Sequence, residues 1–520
     1  MLQAADRAQQ GFFDASICAA VVPQESIYAL LADHGDRVVR DEDFADCYSS
    51  SRGRPSIPPS LLSKVLLLAY RDGLSDQRAM EALRFDLRWK YALDLPIDHP
   101  GFHPTSLVRF RARLLLHGKE RLVFERSLRL AKELGLLSDS VEQIVDSTPM
   151  LGAAATQETV GIVRSGVRKL IDAVKACDED AGSRLEEGLR FDYATPSEKP
   201  EGDWSDREAR HARLAEIAED AERALQAVEQ EPELADTETV AHARELLREI
   251  IGQEYTVDEQ GVPKLRRPKN PGRILTAHDP EMRNGRKTPA KLFAGFKLHA
   301  AASATETPVL TALTISPGCD HDSQHAASLV DQQTPDCKPE RVLGDTAYGG
   351  GPVREQLAQR GVEMLAPVAE TSPKGGPIPK SDFAVDLEAG TVTCPQGNTA
   401  RMHRPDPKGV RLARFSPKAC GPCPLRERCA PSASRGRAIR ITAQEELRQR
   451  GADALREPGA GDYLRTTRMR IERLLGLVVH RYRARKARYL GTRKATLQVA
   501  WTAVLVNLHP IGAALRAEGS

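Results

Sequence analysis

The sequence predicts an α/β fold in which a mixed sheet with flanking helices follows an all-helical segment and carries two insertions. Two short apolar runs each end in an aspartate followed by small residues, as strands of an α/β sheet do. The preceding residues show helical periodicity, and an acidic stretch and a group of cysteines interrupt the strand pattern. At 520 residues and 41% hydrophobic content, the chain is long enough for several folded domains.

The helical segment is expected at residues 41–137, after an N-terminal segment, 1–40, that carries little pattern. One helix ends at Gly73, and a second restarts at Ser75. A helix, a short glycine turn and another helix are the outline of a helix-turn-helix. The segment is therefore expected to be a DNA-binding domain, with a helical bundle that only packs on the rest as the alternative.

A third helix in this segment begins near residue 105 and is rich in arginine. Arg109 and Arg113 lie one turn apart on a common face, so both side chains could reach the same stretch of a partner. We expect these two residues to contact DNA bases.

Strands and helices alternate after residue 140. The first strand is expected from Val141 to Ser147, and strands at 293–301 and 308–315 are expected to pair antiparallel. A helix, a strand, a helix and a strand follow at 322–331, 341–345, 353–360 and 362–367. Asp146 and Asp345 close two of these strands at the edge where α/β sheets gather ligands, although a single aspartate there can also cap a turn.

An acidic helical insertion is expected at residues 158–262. Residues 172–259 contain 26 Asp and Glu against 10 Lys and Arg. The spacing of glutamate and arginine suits paired, exposed helices. The simplest interpretation is a solvated helical spacer.

The C-terminal part is as basic as the insertion is acidic. Residues 401–510 contain 25 Lys and Arg against 8 Asp and Glu, although the net charge of the whole chain is only +2. A block this one-sided favours a polyanion, and nucleic acid is preferred over a membrane surface. A solvated basic face is the alternative. The arginines expected to contact phosphates are Arg465, Arg468, Arg481, Arg483 and Arg485.

The sequence predicts a cytoplasmic, nucleoid-associated protein without a membrane partner. No apolar run reaches the roughly 18 residues that cross a bilayer, and Leu497 to Leu508 is interpreted as a buried helix. The first residues lack the pattern of a secretory signal. Nine cysteines in a cytosolic chain indicate thiols or metal ligands rather than disulfides.

Four of the cysteines are grouped within a Pro- and Gly-rich segment, expected as a small insertion at 370–440. They are Cys394, Cys420, Cys423 and Cys429. Four thiolates, two of them separated by two residues, match the tetrahedral ligation of a structural Zn²⁺ ion. Plain buried thiols are the alternative.

Three carboxylates are expected to carry chemistry: Asp146, Asp345 and Glu472. Hard cations such as Mg²⁺ or Mn²⁺ prefer carboxylate oxygens, and a pair of them can support phosphodiester transfer. Glu472 lies on a basic helix and could instead form an ordinary ion pair with Arg468, one turn earlier. Glu457 and Asp462 are the rival third carboxylates.

The motifs around these residues resemble those of DDE transposases of bacterial insertion sequences. They are Val-Asp-Ser-Thr at 145–148, Gly-Asp-Thr-Ala-Tyr-Gly at 344–349, and an arginine four residues before Glu472. The resemblance departs at Arg465 and Val479, where many such transposases have a tyrosine and a lysine. It covers roughly residues 40–510, and a similar cysteine cluster precedes the glutamate in related transposases.

The resemblance implies a ribonuclease-H-like catalytic domain at 138–510, followed by a tail at 511–520. In that fold the first and fourth strands are neighbours, so Asp146 and Asp345 would lie side by side. The three carboxylates would hold two Mg²⁺ (or Mn²⁺) ions.

The expected function is that of a transposase. It would bind the terminal inverted repeats of its element as a homodimer on paired ends. It would then cleave the ends and join the 3′-hydroxyls to target DNA. Two other functions remain open: a non-catalytic DNA-binding regulator, and a metal-dependent nuclease unrelated to mobility.

Overall fold

Six helices form the N-terminal part of the protein. The computed structural model describes residues 15–49, 55–137, 142–195, 200–257, 259, 263–266, 270, 272–333, 337–369, 377–430 and 435–518. The helices are α1 Ile27–Val38, α2 Pro59–Asp72, α3 Asp76–Phe85, α4 Leu87–Ala92, α5 Thr105–Leu116 and α6 Leu122–Glu133. The expected helix pair is present, because Gly73 ends α2 with a φ of 70° and the Ser75 side chain caps α3.

The described part of the segment 1–40, residues 15–40, contains more regular structure than its sequence indicated. It contains α1, whose first turn is capped by the Ser26 side chain and which packs against α4 and α6. The expected boundary at residue 40 therefore falls two residues after a core helix rather than before the first one. The division of the whole chain into domains stays a prediction.

The acidic insertion is helical and has a hydrophobic core of its own. After β1, Gln143–Leu151, come α7 Thr159–Cys177, α8 Glu179–Glu187, α9 Arg207–Glu229, α10 Pro232–Ala235, α11 Glu238–Glu254, β2 Tyr255–Val257 and β3 Pro263–Leu265. Asp220 is fully buried in this core and accepts hydrogen bonds from the N–H groups of Arg190 and Phe191 and from the Tyr193 hydroxyl. The antiparallel pair of β2 and β3 was not expected.

A six-stranded mixed sheet forms the centre of the protein. Its remaining strands and the helices between them are β4 Arg283–Thr288, β5 Lys291–Ser303, β6 Leu310–Pro317, α12 Ala326–Asp331, β7 Arg341–Leu343, α13 Gly351–Ala358 and β8 Glu363–Leu365. β5 runs antiparallel to both β1 and β6, whereas β7 is parallel to β1 and β8 is parallel to β7. The expected antiparallel pair and the neighbouring positions of the two aspartate-bearing strands are both present. Val141 lies outside the described residues.

The two faces of the sheet bury different residues. On β1, Ile144 belongs to the core shared with the N-terminal helices, whereas Val145 belongs to the core under α12 and α13. Ala300 and Ala301 of β5 divide in the same way. This alternation is what a strand with both faces covered requires.

The cysteine-containing segment forms a small unit with its own core. It contains β9 Ala384–Asp386, β10 Thr391–Thr393, β11 Thr399–Arg401, β12 Arg411–Arg414, α14 Pro417–Cys420, α15 Arg426–Cys429 and β13 Ala438–Ile441. β9, β10 and β11 form one antiparallel sheet, and β12 pairs with β13.

Three long helices end the chain: α16 Glu445–Arg456, α17 Ala460–Gly476 and α18 Thr492–Glu518, with a π-helical turn at Leu477–Arg481. α18 is long and apolar enough to cross a membrane, but 78% of its most apolar window is buried inside the protein. It packs between the N-terminal helices and β6. The side chain of Asn507 pairs with both backbone groups of Leu310 at 2.9 Å. The expected buried helix is therefore present.

The expected tail at 511–520 is wrong for its described residues. Pro510 lies inside α18 without ending it, and the helix continues to Glu518. Ile511 and Leu515 are buried in the shared core, which keeps this last part of the helix in place. One core thus joins the N-terminal helices, α18 and one face of the sheet.

Candidate active site

A cleft of about 470 Å³ opens beside the middle of β1 and the end of β7. Side chains from these two strands, from the β4–β5 hairpin and from α17 meet there. The lining includes Asp146, Ser147, Arg286, Lys287, Lys297, Asp322, Asp345, Arg468, Glu472, His480 and Arg485. The three carboxylates predicted from the sequence therefore line one cleft.

Asp146 lies within β1, opposite Ala300 of β5, and does not close the strand as expected, because β1 continues beyond it to Leu151. Its carboxylate accepts a hydrogen bond from the Ser147 N–H at 2.8 Å. Burial raises the pKa of Asp146 from 3.8 to about 6. The Ser147 N–H and the charge of Arg468 oppose this rise, and the charges of Asp345 and Glu472 add to it. Asp146 is thus a carboxylate whose charge is disfavoured unless a cation is near.

Asp345 directly follows β7 and caps the short 3₁₀ turn that comes next. Its side chain accepts a hydrogen bond from the Ala347 N–H at 2.8 Å. Asp345 therefore caps the turn and lines the cleft at the same time.

Tyr348 is fully buried in that turn, and its hydroxyl has no hydrogen-bond partner among the described residues. Burial raises its pKa well above the usual value, and the charges of Asp322, Asp146 and Asp345 raise it further. Tyr348 therefore stays a neutral phenol beside the carboxylates.

Glu472 reaches the cleft from α17. It forms an ion pair with Arg468 at 3.7 Å, and its side chain is 55% exposed against 22% for the arginine. The rivals do not line the cleft: Asp462 pairs with Arg465 at the start of α17, and Glu457 follows α16 on the surface. Among the described residues, no group of three or more His, Cys, Asp or Glu side chains is close enough to hold a metal ion.

A lysine and a further aspartate also line the cleft, and the sequence analysis assigned neither of them to the site. Lys297 donates to the Asp322 carboxylate at 2.8 Å and to the Asp320 carbonyl at 2.7 Å. Burial alone would raise the pKa of Asp322, but Lys297 and the Ser147 side chain outweigh it, so the pKa is lowered. The run Asp320-His321-Asp322 was the one signal that could have found this pair.

His299 is fully buried in β5 and is a packed residue rather than a cleft residue. Its Nε2 lies 2.9 Å from the Ser316 hydroxyl, and its ring stacks on His325 at 4.2 Å. Burial and the charge of His325 lower its pKa, so the ring is neutral.

The predicted phosphate-contacting arginines do not share one helix, since α17 ends at Gly476. Arg468 and Arg485 line the cleft, and the Arg485 guanidinium donates to the Pro149 carbonyl at 3.1 Å. Arg485 lies in a short segment that pairs with Leu151 at the end of β1, since its carbonyl accepts a hydrogen bond from the Leu151 N–H. Its place beside the site therefore comes from pairing with the sheet.

The other three arginines lie outside the cleft. Arg465 is 75% exposed and pairs with Asp462. Arg481 is the exposed last residue of the π-helical turn. Arg483 has a φ of 59°, and its guanidinium lies against Gly73 at the end of α2.

Arg109 and Arg113 lie on α5, away from the cleft lining. Arg109 is exposed, whereas Arg113 stacks over the ring of Tyr48 at 4.1 Å. The neighbouring Arg111 is buried in an ion pair with Asp76. Arg109 is therefore the more available of the two predicted base contacts.

The four grouped cysteines surround a small cavity of about 20 Å³. All four are free thiols, and Cys429 is buried. Burial raises the pKa of Cys429, as do the charges of Cys420, Cys423 and Cys394. The cysteines are thus neighbours in the fold, although they do not form a metal-holding group by the spacing of the described side chains.

The protein is thus an α/β protein with acidic side chains in and directly after two neighbouring strands, and basic side chains line the same cleft. Residues 17–113 match the family model "Transposase domain (DUF772)", and residues 393–511 match the family model "Transposase DDE domain". These matches support a DDE transposase of an insertion sequence. The second match includes Glu472 and the four cysteines, and neither match includes Asp146 or Asp345. No curated protein and no solved structure matches the chain.

Proposed function

We propose that this transposase binds the terminal inverted repeats of its element, cleaves the ends and transfers the 3′-hydroxyls to target DNA. The observation that carries the proposal is the cleft in which Asp146, Asp345 and Glu472 face a common space together with several cations. Acidic residues that hold divalent cations and basic residues that hold phosphates are the two requirements of phosphodiester transfer.

The catalytic core is proposed to be of ribonuclease-H type. The strand order β6-β5-β1-β7-β8, antiparallel on one side of β1 and parallel on the other, supports this assignment. In chain order, Asp146 lies in the first of these strands, and Asp345 closely follows the fourth, which is its parallel neighbour.

The carboxylates would hold two Mg²⁺ or Mn²⁺ ions per site. Carboxylate oxygens suit these cations. The pKa of Asp146 is raised by burial and by the charges of Asp345 and Glu472, so a bound cation would stabilise its ionised form. When bound, such ions polarise the phosphate and activate the attacking oxygen.

The protein's own residues then have separate tasks. Arg468 forms an ion pair with the Glu472 carboxylate, and its charge opposes the rise in the pKa of Asp146, so it favours the ionised form of Asp146. Arg485 is fixed by the Pro149 carbonyl beside the strand end and would bind a phosphate next to the one that reacts. The transfer is a direct transesterification without a covalent bond between protein and DNA.

Recognition of the element ends is proposed for the N-terminal helices. Arg109 and Arg113 would contact bases, and Arg465, Arg481 and Arg483 would contact phosphates outside the cleft. The protein would act in the cytoplasm, at the nucleoid, as a homodimer on paired ends.

A structural Zn²⁺ ion is proposed for the cysteine unit. Cys394 and Cys420 each open a tight turn, and the electrostatic effect of Cys394, Cys420 and Cys423 on the pKa of Cys429 supports a common site. The side chains would have to close in on the ion, because their present spacing does not form a metal-holding group.

Nicking of duplex DNA that carries the element ends, in the presence of Mg²⁺, tests the proposal. Asp146→Asn, Asp345→Asn and Glu472→Gln should each abolish nicking and leave DNA binding largely intact, because each removes a proposed ligand and little else. Glu457→Gln is the control and should nick normally. If Glu457→Gln is inactive and Glu472→Gln active, the third ligand is misplaced.

The same assay separates the alternatives. A non-catalytic regulator would bind element ends and never nick them. A nuclease unrelated to mobility would nick unrelated duplex equally well.

A further inference from the structure

The hairpin formed by β4 and the start of β5 is a strongly basic element beside the cleft. From Arg283 to Lys297 the chain has five Lys and Arg residues and no Asp or Glu. Arg286, Lys287 and Lys291 are exposed. None of these three forms an ion pair within the described part of the chain. Three exposed cations without a counter-ion repel one another, so the hairpin favours an external anion.

The base of the hairpin is tightly packed onto the sheet. Gly295 has a φ of 147°, and a Cβ at this position would overlap the Met150 carbonyl of β1. A Cβ at Gly285 would overlap the ring of Phe293 and the Gly318 carbonyl. The backbones therefore approach closely at both positions, which fixes the direction of the hairpin relative to β1.

The hairpin and Arg485 lie on opposite sides of the strand that carries Asp146. β5, which continues the hairpin, pairs with one edge of β1. The segment containing Arg485 pairs with the other edge at Leu151. Arg286 and Lys287 line the same cleft as Asp146. Cations thus stand on both sides of the carboxylates.

We propose that the hairpin binds DNA phosphates. It would hold the DNA backbone on one side of the reacting phosphate, and Arg485 lies on the opposite side. This inference rests on the proposed function, because it takes DNA as the anion. A DNA strand that crosses β1 would then have its phosphate charges neutralised on both sides of the carboxylates. The acidic centre would remain available for the metal cations and the reacting phosphate.

The test is the salt dependence of DNA binding. A random-sequence duplex is titrated in EDTA, by fluorescence anisotropy, at several NaCl concentrations. The variant Arg286→Gln/Lys287→Gln/Lys291→Gln should flatten the log–log salt slope by about two to three units, since each phosphate contact contributes about 0.9. The variant Lys287→Arg/Lys291→Arg should keep the wild-type slope.

A charge-matched control replaces three exposed cations of the cysteine unit, Arg401, Arg404 and Lys408, by glutamine. Its slope should stay within one unit of wild type, since about 0.9 corresponds to a single contact. An unchanged slope in the hairpin variant, or an equal loss in the control, overturns the inference.

Chemically neutral phosphates sharpen the result. On a duplex that carries an element end, where specific binding has a fixed register, methylphosphonates at the positions that the hairpin contacts should weaken wild-type binding and leave the hairpin variant unaffected. If they weaken both proteins equally, the hairpin does not contact those phosphates.

These measurements need no metal and no cleavage, so they separate the two proposals. If the wild-type salt slope is steep and the hairpin variant has the same slope, only the inference about the hairpin is overturned. Wild-type protein without salt-dependent binding overturns both.

Discussion

Replacing Asp146 by asparagine should stabilise the metal-free protein at neutral pH even though it abolishes cleavage. Burial raises the pKa of this carboxyl from 3.8 to about 6, so folding brings an ionised group into surroundings that disfavour its charge. Asparagine has nearly the same shape and no charge. It can also accept the hydrogen bond that the Ser147 N–H donates at 2.8 Å.

The sign and size of the effect follow from the two pKa values. Between them the native state binds more protons than the unfolded state, so stability falls as the pH rises through this window. At about pH 7.5 the loss is about 3 kcal/mol, from roughly two pKa units at about 1.4 kcal/mol each. At about pH 4.5 only about 1 kcal/mol of it has accrued. The free energy of unfolding of Asp146→Asn should therefore exceed that of wild type by about 3 kcal/mol at about pH 7.5 and by about 1 kcal/mol at about pH 4.5.

Urea denaturation in EDTA, followed by tryptophan fluorescence, measures the difference. Trp501 reports on the relevant unit, because it shares a core with Ile144 of β1. Glu472→Gln is the control, since its side chain is already 55% exposed and gains little from losing its charge. Added Mg²⁺ should narrow the gap between wild type and Asp146→Asn by binding only the former. A variant no more stable than wild type at neutral pH, or a gap that grows towards acid, would refute the reasoning.

Two further outcomes follow from the site. Arg485→Gln should reduce the salt slope of DNA binding by about 0.9 and slow nicking, since this guanidinium lines the cleft. The control Arg456→Gln, whose arginine pairs with Asp453 on the surface and has no proposed DNA contact, should leave the slope unchanged; equal effects in binding titrations would contradict this. Elemental analysis should find one zinc per chain in wild type and none in Cys429→Ser; a wild-type protein without zinc would contradict the proposed ligation.

The two aspartate-bearing strands could be predicted from sequence because apolar runs mark β1 and β7. The small residues after Asp345 mark a turn, whereas those after Asp146 continue β1, so a strand end was predicted correctly only at Asp345. Asp146 and Asp345 were then expected as neighbours only through the strand order that the resemblance implied. Parallel pairing of distant strands has no local signature, so composition and spacing alone would not have joined them.

The basic side of the site was harder to predict. β4 has the sequence Arg-Asn-Gly-Arg-Lys-Thr, which lacks the apolar alternation of a half-buried strand. β4 forms because Gly285, Gly295 and Gly318 allow its backbone to lie close to β5 and β6. The turn at Arg483 was missed for a related reason, since a φ of 59° at a non-glycine residue is held by its tertiary surroundings rather than by its own preference.

The segment after α17 links the cleft to the N-terminal helices. Arg485 lines the cleft, and three residues later the Arg488 guanidinium donates to the Leu74 carbonyl at 2.9 Å and stacks on Tyr70. Leu74 lies in the turn between α2 and α3, so the expected helix-turn-helix is attached to the strand that carries Asp146 by a few residues of chain. Under the proposed function, a DNA end bound by those helices would lie at a fixed distance from the carboxylates. The shared core around α18 makes that distance a property of the fold rather than of a flexible linker.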